Sequence, residues 1–270
     1  MNQSHYGLYE LAETLLIPLC YRAIEAQQTH PLICDSRAQD IIDHLGVNPA
    51  HLKWRSAQQV FAMLRARQFD AWTRSYLASH SQTVVVEIGC GLDARYERVD
   101  DGRVMWVDLD LPEVIALRRR FFVDTSRRQM LANSVFSLDW MERIPAAGSY
   151  LFLAEGVFPY FEEREVRRVI TTLAERFPGS EMVVDALSPF MVRASAIVPT
   201  FRGYRVRPRW CVAHPRKLES WGGGIRLLDC YGYFDQPNPR LASSHWMARV
   251  PVLRDSARVL RLGLGDPEQR

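Results

Sequence analysis

No stretch of the 270 residues approaches the ~20 consecutive apolar side chains that a bilayer-spanning helix requires. Met1 to Glu10 lack a basic segment followed by an apolar core, so the sequence predicts no export signal and a cytoplasmic protein. Cysteine is sparse: Cys20, Cys34, Cys90, Cys211 and Cys230 are odd in number, without a C-x-x-C pair or histidines at metal-ligand spacing. Neither a disulfide framework nor a metal site is expected. An excess of one charge is missing as well. With 34 basic and 31 acidic residues the net charge is +3, and no basic stripe of the kind a nucleic-acid reader concentrates is present. The densest basic run, Arg118-Arg119-Arg120, fans round a helix and reads as a solvated surface.

What is there alternates. From Tyr6 to His80 apolar residues recur at helical spacing, as in Leu8, Leu11, Leu15 and then Val60, Phe61, Leu64, with Asp35 or Ser36 as a cap before Ala38 to Leu45. Residues 1–80 therefore read as a helical N-terminal cap, and residues 81–270 as an α/β domain. Val84-Val85-Val86 is a short continuous apolar run that suits a buried parallel strand. Val104 to Val107 reads as a second strand, Pro112 to Phe122 as a helix, Tyr150 to Ala154 as a strand, Glu162 to Phe177 as a helix, and Met182 to Val184 as a strand. This alternation predicts a mostly parallel sheet covered by helices. Ile225 to Tyr231 and Trp246 to Val250 look like strands joined without a long helix, which predicts an antiparallel edge. Residues 188–215, irregular and rich in proline and arginine, read as a lid or pocket insertion.

Glu87-Ile88-Gly89-Cys90-Gly91 ends the first strand, where glycines permit a tight turn and let a nucleotide-like ligand approach the backbone. The third glycine of the dinucleotide fingerprint is absent, Ala94 standing in its place. A carboxylate at Glu87 opposes a pyrophosphate and suits a ligand carrying an ammonium group. The second strand delivers Asp108 and Asp110, roughly 20 residues past the loop, where a ribose-binding carboxylate is expected. A helix N-cap before Pro112 is the competing reading for either.

Three segments carry a specific resemblance: residues 87–95 (EIGCGLDAR), 106–114 (WVDLDLPEV) and 153–160 (LAEGVFPY). In order and spacing they are similar to the leucine carboxyl methyltransferase family, and within it to the bacterial tetracenomycin-type polyketide O-methyltransferases, from about Arg22 to about Val250. The resemblance implies a Rossmann-like class I methyltransferase with a seven-stranded sheet. It implies S-adenosyl-L-methionine as cofactor, a small-molecule acceptor, and no nucleic-acid or membrane partner. It sets Gly89 and Gly91 against the methionine part of the cofactor, Asp110 on the ribose with Asp108 as second choice, and Arg65 on the cofactor carboxylate. Glu155 falls beneath the cofactor and Tyr160 in the acceptor pocket. Many relatives carry Asp-Leu after the third strand to contact adenine; Ser137-Leu138 stand there, with Asp139 close by.

A carboxylate acceptor is already ionised near pH 7, whereas a hydroxyl needs a base, for which His214, His245 and Glu155 are the candidates. Neither histidine sits in a recognisable constellation, which favours methyl ester formation, with hydroxyl methylation second. A nicotinamide oxidoreductase, opposed by Glu87 and the missing glycine, and a non-catalytic nucleotide-binding module are the remaining rivals.

Overall fold

A computed structural model describes residues 4–49, 56–195, 207–235 and 238–266. Three helices come first, α1 (Ser4–Ala26), α2 (Ser36–Leu45) and α3 (Ser56–Ser79). Asp35 caps α2, accepting hydrogen bonds from the backbone N–H groups of Arg37 and Ala38, and Gly46 ends it in the left-handed conformation.

The apolar run at 84–86 lies in β1 (Thr83–Ile88), every residue of which is buried. Alternate side chains point to opposite faces. Val84, Val86 and Ile88 join one core with Phe152, Val184 and the helix α6 (Glu163–Arg176), while Val85 joins another with Leu151, Val183 and Phe69, Trp72 and Tyr76 of α3. The remaining strands are β2 (Met105–Asp110), β3 (Arg128–Ala132), β4 (Ser149–Ala154), β5 (Ser180–Leu187), β6 (Arg226–Gly232) and β7 (Ala257–Leu264). They form one seven-stranded sheet in the order β3-β2-β1-β4-β5-β7-β6. The first five are parallel and β7 runs antiparallel to both β5 and β6. The short helices α4 (Arg95–Val99) and α5 (Pro112–Arg118) follow β1 and β2. Strand order reverses between β1 and β4, and in such sheets the crevice outside the carboxyl ends of the strands receives the ligand.

Three expectations need correction. The helix after Pro112 ends at Arg118, and Arg118 is fully buried rather than solvated: it donates to Asp108 at 2.9 Å and to the Gly91 carbonyl at 2.8 Å. Its neighbours Arg119 and Arg120 are exposed. Residues 246–250 form no strand. They lie at the end of a 3-10 stretch, Pro239–Arg249, begun by Asn238, whose side chain accepts from Arg240 N–H, and by Pro239, which lacks the N–H a strand would use. The strand lies further on, at β7, where Val259, Leu260, Leu262 and Leu264 are buried and Arg261 pairs with Glu181 of β5.

The expected lid at 188–215 lies partly outside the described residues. Its first part is α7 (Pro189–Ala194), capped by the Ser188 hydroxyl. Its last part returns along the sheet, where Trp210 is buried, the N–H groups of Arg209 and Trp210 both donate to the Pro159 carbonyl, and Val212 N–H donates to Leu187.

Candidate cofactor and acceptor site

A cavity of about 590 Å³ opens at the carboxyl ends of β1, β2 and β4. Leu15, Ile17, Pro18 and Tyr21 of α1 roof it, Ala62 and Arg65 of α3 form one wall, and residues 133–136 form the opposite lip.

The floor is the glycine loop. Gly89 and Gly91 have φ of 67° and 50°, the left-handed region that favours glycine. A Cβ at Gly89 would run into the Val157 side chain, and one at Gly91 would press on Leu15 of α1 at 3.0 Å. Gly91 N–H donates to Asp110 Oδ2 at 2.8 Å, and Leu111 N–H to Asp110 Oδ1 at 2.8 Å. Asp110 thus lines the cavity beside the loop, and burial pushes its carboxyl above the usual range. Asp108 does not reach the cavity. It is fully buried and holds Arg118 at 2.9 Å and Arg128 at 2.7 Å, with the Trp106 indole N–H at 3.2 Å. Its role is structural: it sets Arg118 behind the loop, where that side chain holds the Gly91 carbonyl.

At the end of β1, Glu87 lines the cavity, and its Oε1 accepts from Arg95 Nη1 at 2.7 Å. Oε2 is buried without a hydrogen-bond partner. Burial pushes the Glu87 carboxyl up to about 8, with Arg95 pulling the other way. Glu155, one residue past β4, also lines the cavity. Its carboxylate bridges Arg65, whose Nε donates to Oε1 at 2.9 Å, and Arg95, whose Nη2 donates to Oε2. Arg65 Nη1 donates to Asp185 Oδ2 at 2.9 Å, and Asp185 Oδ1 accepts from Gly156 N–H at 2.8 Å. Gly156 has φ 68°, and a Cβ there would press on Arg65 Nη2 at 3.3 Å. Tyr160 lines the cavity on the short turn Phe158–Tyr160, its hydroxyl pushed above the ordinary value by burial.

Of the residues named from the sequence, the cavity brings together Arg65, Glu87, Gly89, Gly91, Asp110, Glu155 and Tyr160. It leaves out Asp108, Ser137 and Leu138. β3 ends at Ala132, so the residues that follow it directly, Asn133, Ser134, Val135 and Phe136, are the ones that reach the cavity. Ser137 N–H closes a turn onto Ser134, and Leu138, at φ 65°, sends the chain into the 3-10 turn Asp139–Arg143 and packs on the core. Asp139 accepts from the Asn133 amide at 2.9 Å. His214 and His245 are exposed and line no part of this cavity. Sequence reasoning missed Arg95 and Asp185. The signal for Asp185 was a carboxylate directly after the apolar run Met182 to Val184, buried within β5; Arg95 stood inside the glycine-loop motif with nothing to mark it.

The described residues fit an S-adenosyl compound: an unpaired buried carboxylate oxygen for an ammonium group, a guanidinium at Arg65 for a carboxylate, Asp110 for ribose hydroxyls, and an apolar lip at Val135 and Phe136. Among the described residues no group of side chains could hold a metal ion, and no helix is long and apolar enough to cross a membrane.

Comparison with known proteins agrees. The family model for leucine carboxyl methyltransferase matches residues 16–174. The tetracenomycin polyketide synthesis O-methyltransferase TcmP of Streptomyces glaucescens is 30% identical over 258 residues, 92% of this chain and 95% of that protein. The S-adenosyl-L-methionine-dependent methyltransferase dpfgK of Gibberella zeae is 26% identical over 264 residues, 87% of this chain and 86% of its own. Among solved structures, a magnesium protoporphyrin IX methyltransferase from Synechocystis PCC 6803 with bound SAH shares the fold, with a TM-score of 0.51 at 12% identity, covering 85% of this chain and 95% of that one. Sheet order, glycine loop, family match and near full-length similarity converge: the chain belongs to the leucine carboxyl methyltransferase family and is an S-adenosyl-L-methionine-dependent O-methyltransferase.

Proposed function

We propose that the acceptor is the carboxylate of a small molecule, that the product is a methyl ester, and that the reaction belongs to secondary-metabolite tailoring in the cytoplasm. One observation carries the ester: once Glu87 takes the cofactor's ammonium and Asp110 its ribose, no described residue of the cavity is left free to act as a base. Glu155 is committed to Arg65 and Arg95, and Asp185 to Arg65 and the Gly156 N–H. Tyr160 is held in its protonated form, and neither His214 nor His245 lines the cavity. A hydroxyl acceptor needs a group to take its proton, whereas a carboxylate arrives ionised. The tailoring role leans on the similarity to TcmP.

When bound, the cofactor supplies an electrophilic methyl group on a sulfonium. The chain's own residues bind, orient and exclude water. Asp110 is placed for the ribose hydroxyls, with both its oxygens already fixed by loop N–H groups. Arg65 is placed for the cofactor carboxylate and Glu87 for the ammonium. Asn133, tied to Asp139, and Val135 form the adenine lip. Tyr21 and Tyr160 flank the space left for the acceptor, and the apolar side chains of α1 keep it dry, so alignment and desolvation supply the acceleration.

The test is the lability of the label. After incubation of a metabolite extract with the enzyme and radiolabelled cofactor, mild alkali should release the label as methanol. With cofactor saturating, turnover should vary little between pH ~6 and ~8, since an acceptor carboxylate of ordinary pKa is ionised throughout. Alkali-stable label would mean a hydroxyl acceptor.

A further inference from the structure

Arg95 is 0% exposed, in the first turn of α4, and divides one guanidinium among carboxylates from three elements. Nε donates to Asp70 Oδ1 of α3 at 2.8 Å, Nη1 to Glu87 Oε1 at 2.7 Å, and Nη2 to Glu155 Oε2. The Phe69 ring lies 5.2 Å from its guanidinium carbon. With every nitrogen engaged and one face packed on a ring, the side chain has no room to turn. Glu87 is the next-to-last residue of β1 and Glu155 the first past β4, neighbouring strands in which Ile88 pairs with Ala154, so the guanidinium between them ties the two side chains together.

We propose that Arg95 is a positioning residue for the amino-acid end of the cofactor: it fixes Glu87 and Glu155 at the two strand ends so that the free oxygen of Glu87 meets the ligand's ammonium group. This rests on the cofactor placement proposed above. Arg95 reaches the cavity wall beside the two glutamates, but each of its nitrogens is taken by a carboxylate, so it acts on the ligand through Glu87 and Glu155. Asp70 and Asp93 also pair with Arg98, and Glu155 with Arg65, whereas Glu87 is held by Arg95 through Oε1 and keeps its other oxygen free. The groups facing it are Arg95 from α4, Asp93 and Cys90 from the loop, Asp108 from β2, Arg118 from α5, and Glu155, which shares Arg95. Burial, aided by Asp93 and Asp108, keeps a proton on Glu87 near neutral pH against the pull of Arg95 and Arg118. Docking of the ammonium then breaks the O–H bond of that carboxyl and releases its proton to solvent, the ammonium charge taking its place.

The experiment compares two ligands by calorimetric titration: S-adenosylhomocysteine, and 5′-methylthioadenosine, which keeps the adenosine and sulfur but lacks the amino-acid end. Arg95→Met should weaken S-adenosylhomocysteine by about ten-fold or more and methylthioadenosine by less than about three-fold, with Arg95→Lys recovering part of the loss. Wild-type affinity for S-adenosylhomocysteine should rise as pH goes from 6.5 to 8.5, by up to about ten-fold per unit, and Glu87→Gln should flatten that rise. Equal losses for both ligands, or unchanged affinity for both, would overturn the positioning role. Should Arg95→Met not fold, Arg95→Lys decides: a loss confined to S-adenosylhomocysteine supports the role and an equal loss removes it. If wild type binds neither ligand, the cofactor placement fails and the proposal with it.

Discussion

Asp108 and Asp110 lie two residues apart on β2, point to the same face, and meet different fates because only one stands at the strand's end. Asp108 is inside the sheet and neutralises two buried arginines; Asp110 is at the carboxyl end beside the glycine loop. Asp110→Ala should therefore weaken S-adenosylhomocysteine about ten- to a hundred-fold while leaving the fold standing, as expected for losing a hydrogen bond to a charged group worth roughly 1.5–3 kcal/mol. Asp108→Ala should instead lower the melting temperature, since stranding buried charge costs roughly 3–5 kcal/mol, on the order of 10 °C for a chain of this length. Calorimetric titration and thermal melts of the two variants separate the cases, and a reversal would move the ribose to Asp108. Glu87 supports a second expectation. Its carboxyl rises from an ordinary value of 4.5 to about 8 on folding, so the native state binds more protons than the unfolded chain between those values. The stability it contributes is present below pH 4.5 and is lost as pH rises toward 8. Glu87→Gln cannot titrate, so its melting temperature should gain on wild type between pH 5 and pH 8; a variant that loses ground over that span would contradict the raised value.

At the scale of elements, the roof helix α1 is held from a distance. Arg240, in the C-terminal 3-10 stretch, donates to both oxygens of Glu25 at 2.7 and 2.8 Å, and Glu25 also accepts from the Leu32 N–H at 2.7 Å. Glu25 is fully buried, so removing its cation is costly even though Arg240 is itself partly exposed. Arg240→Met should cost about 1–3 kcal/mol, read as a drop of several degrees in melting temperature. Because α1 carries Leu15, Ile17, Pro18 and Tyr21 over the cavity, the same variant should raise the KM for cofactor and acceptor together; unchanged KM values would show that this end of α1 does not govern the roof. Elements were legible in proportion to how local their signals are. β1, β4 and α6 follow from an unbroken apolar run or a helical period. β7 was missed because Arg258 and Arg261 interrupt its pattern; Arg258 pairs locally with Asp255, and only the pairing of β7 on β5 gives Arg261 its partner, Glu181.

For the whole molecule, a ligand that binds the native state alone stabilises it by mass action. At about 100 times its dissociation constant, S-adenosylhomocysteine should add roughly 2.7 kcal/mol, or several degrees in melting temperature, whereas NAD should add nothing. A shift with NAD and none with S-adenosylhomocysteine would refute the cofactor assignment. The sequence by itself determined the parallel sheet, the glycine loop at its first strand and the kinship carried by three motifs, because each is written in residues that are neighbours in the chain. It also placed Arg65, Asp110, Glu155 and Tyr160 among the candidates. Only the tertiary structure decided that Arg95 joins Asp70, Glu87 and Glu155, and that Arg65 reaches Asp185 across 120 positions. It alone buried Arg118 and brought Asn133 to the lip in place of Ser137. The reason is electrostatic and topological: a buried charge needs a partner, and which partner it finds depends on which strand ends the sheet sets side by side, something spacing along the chain does not record.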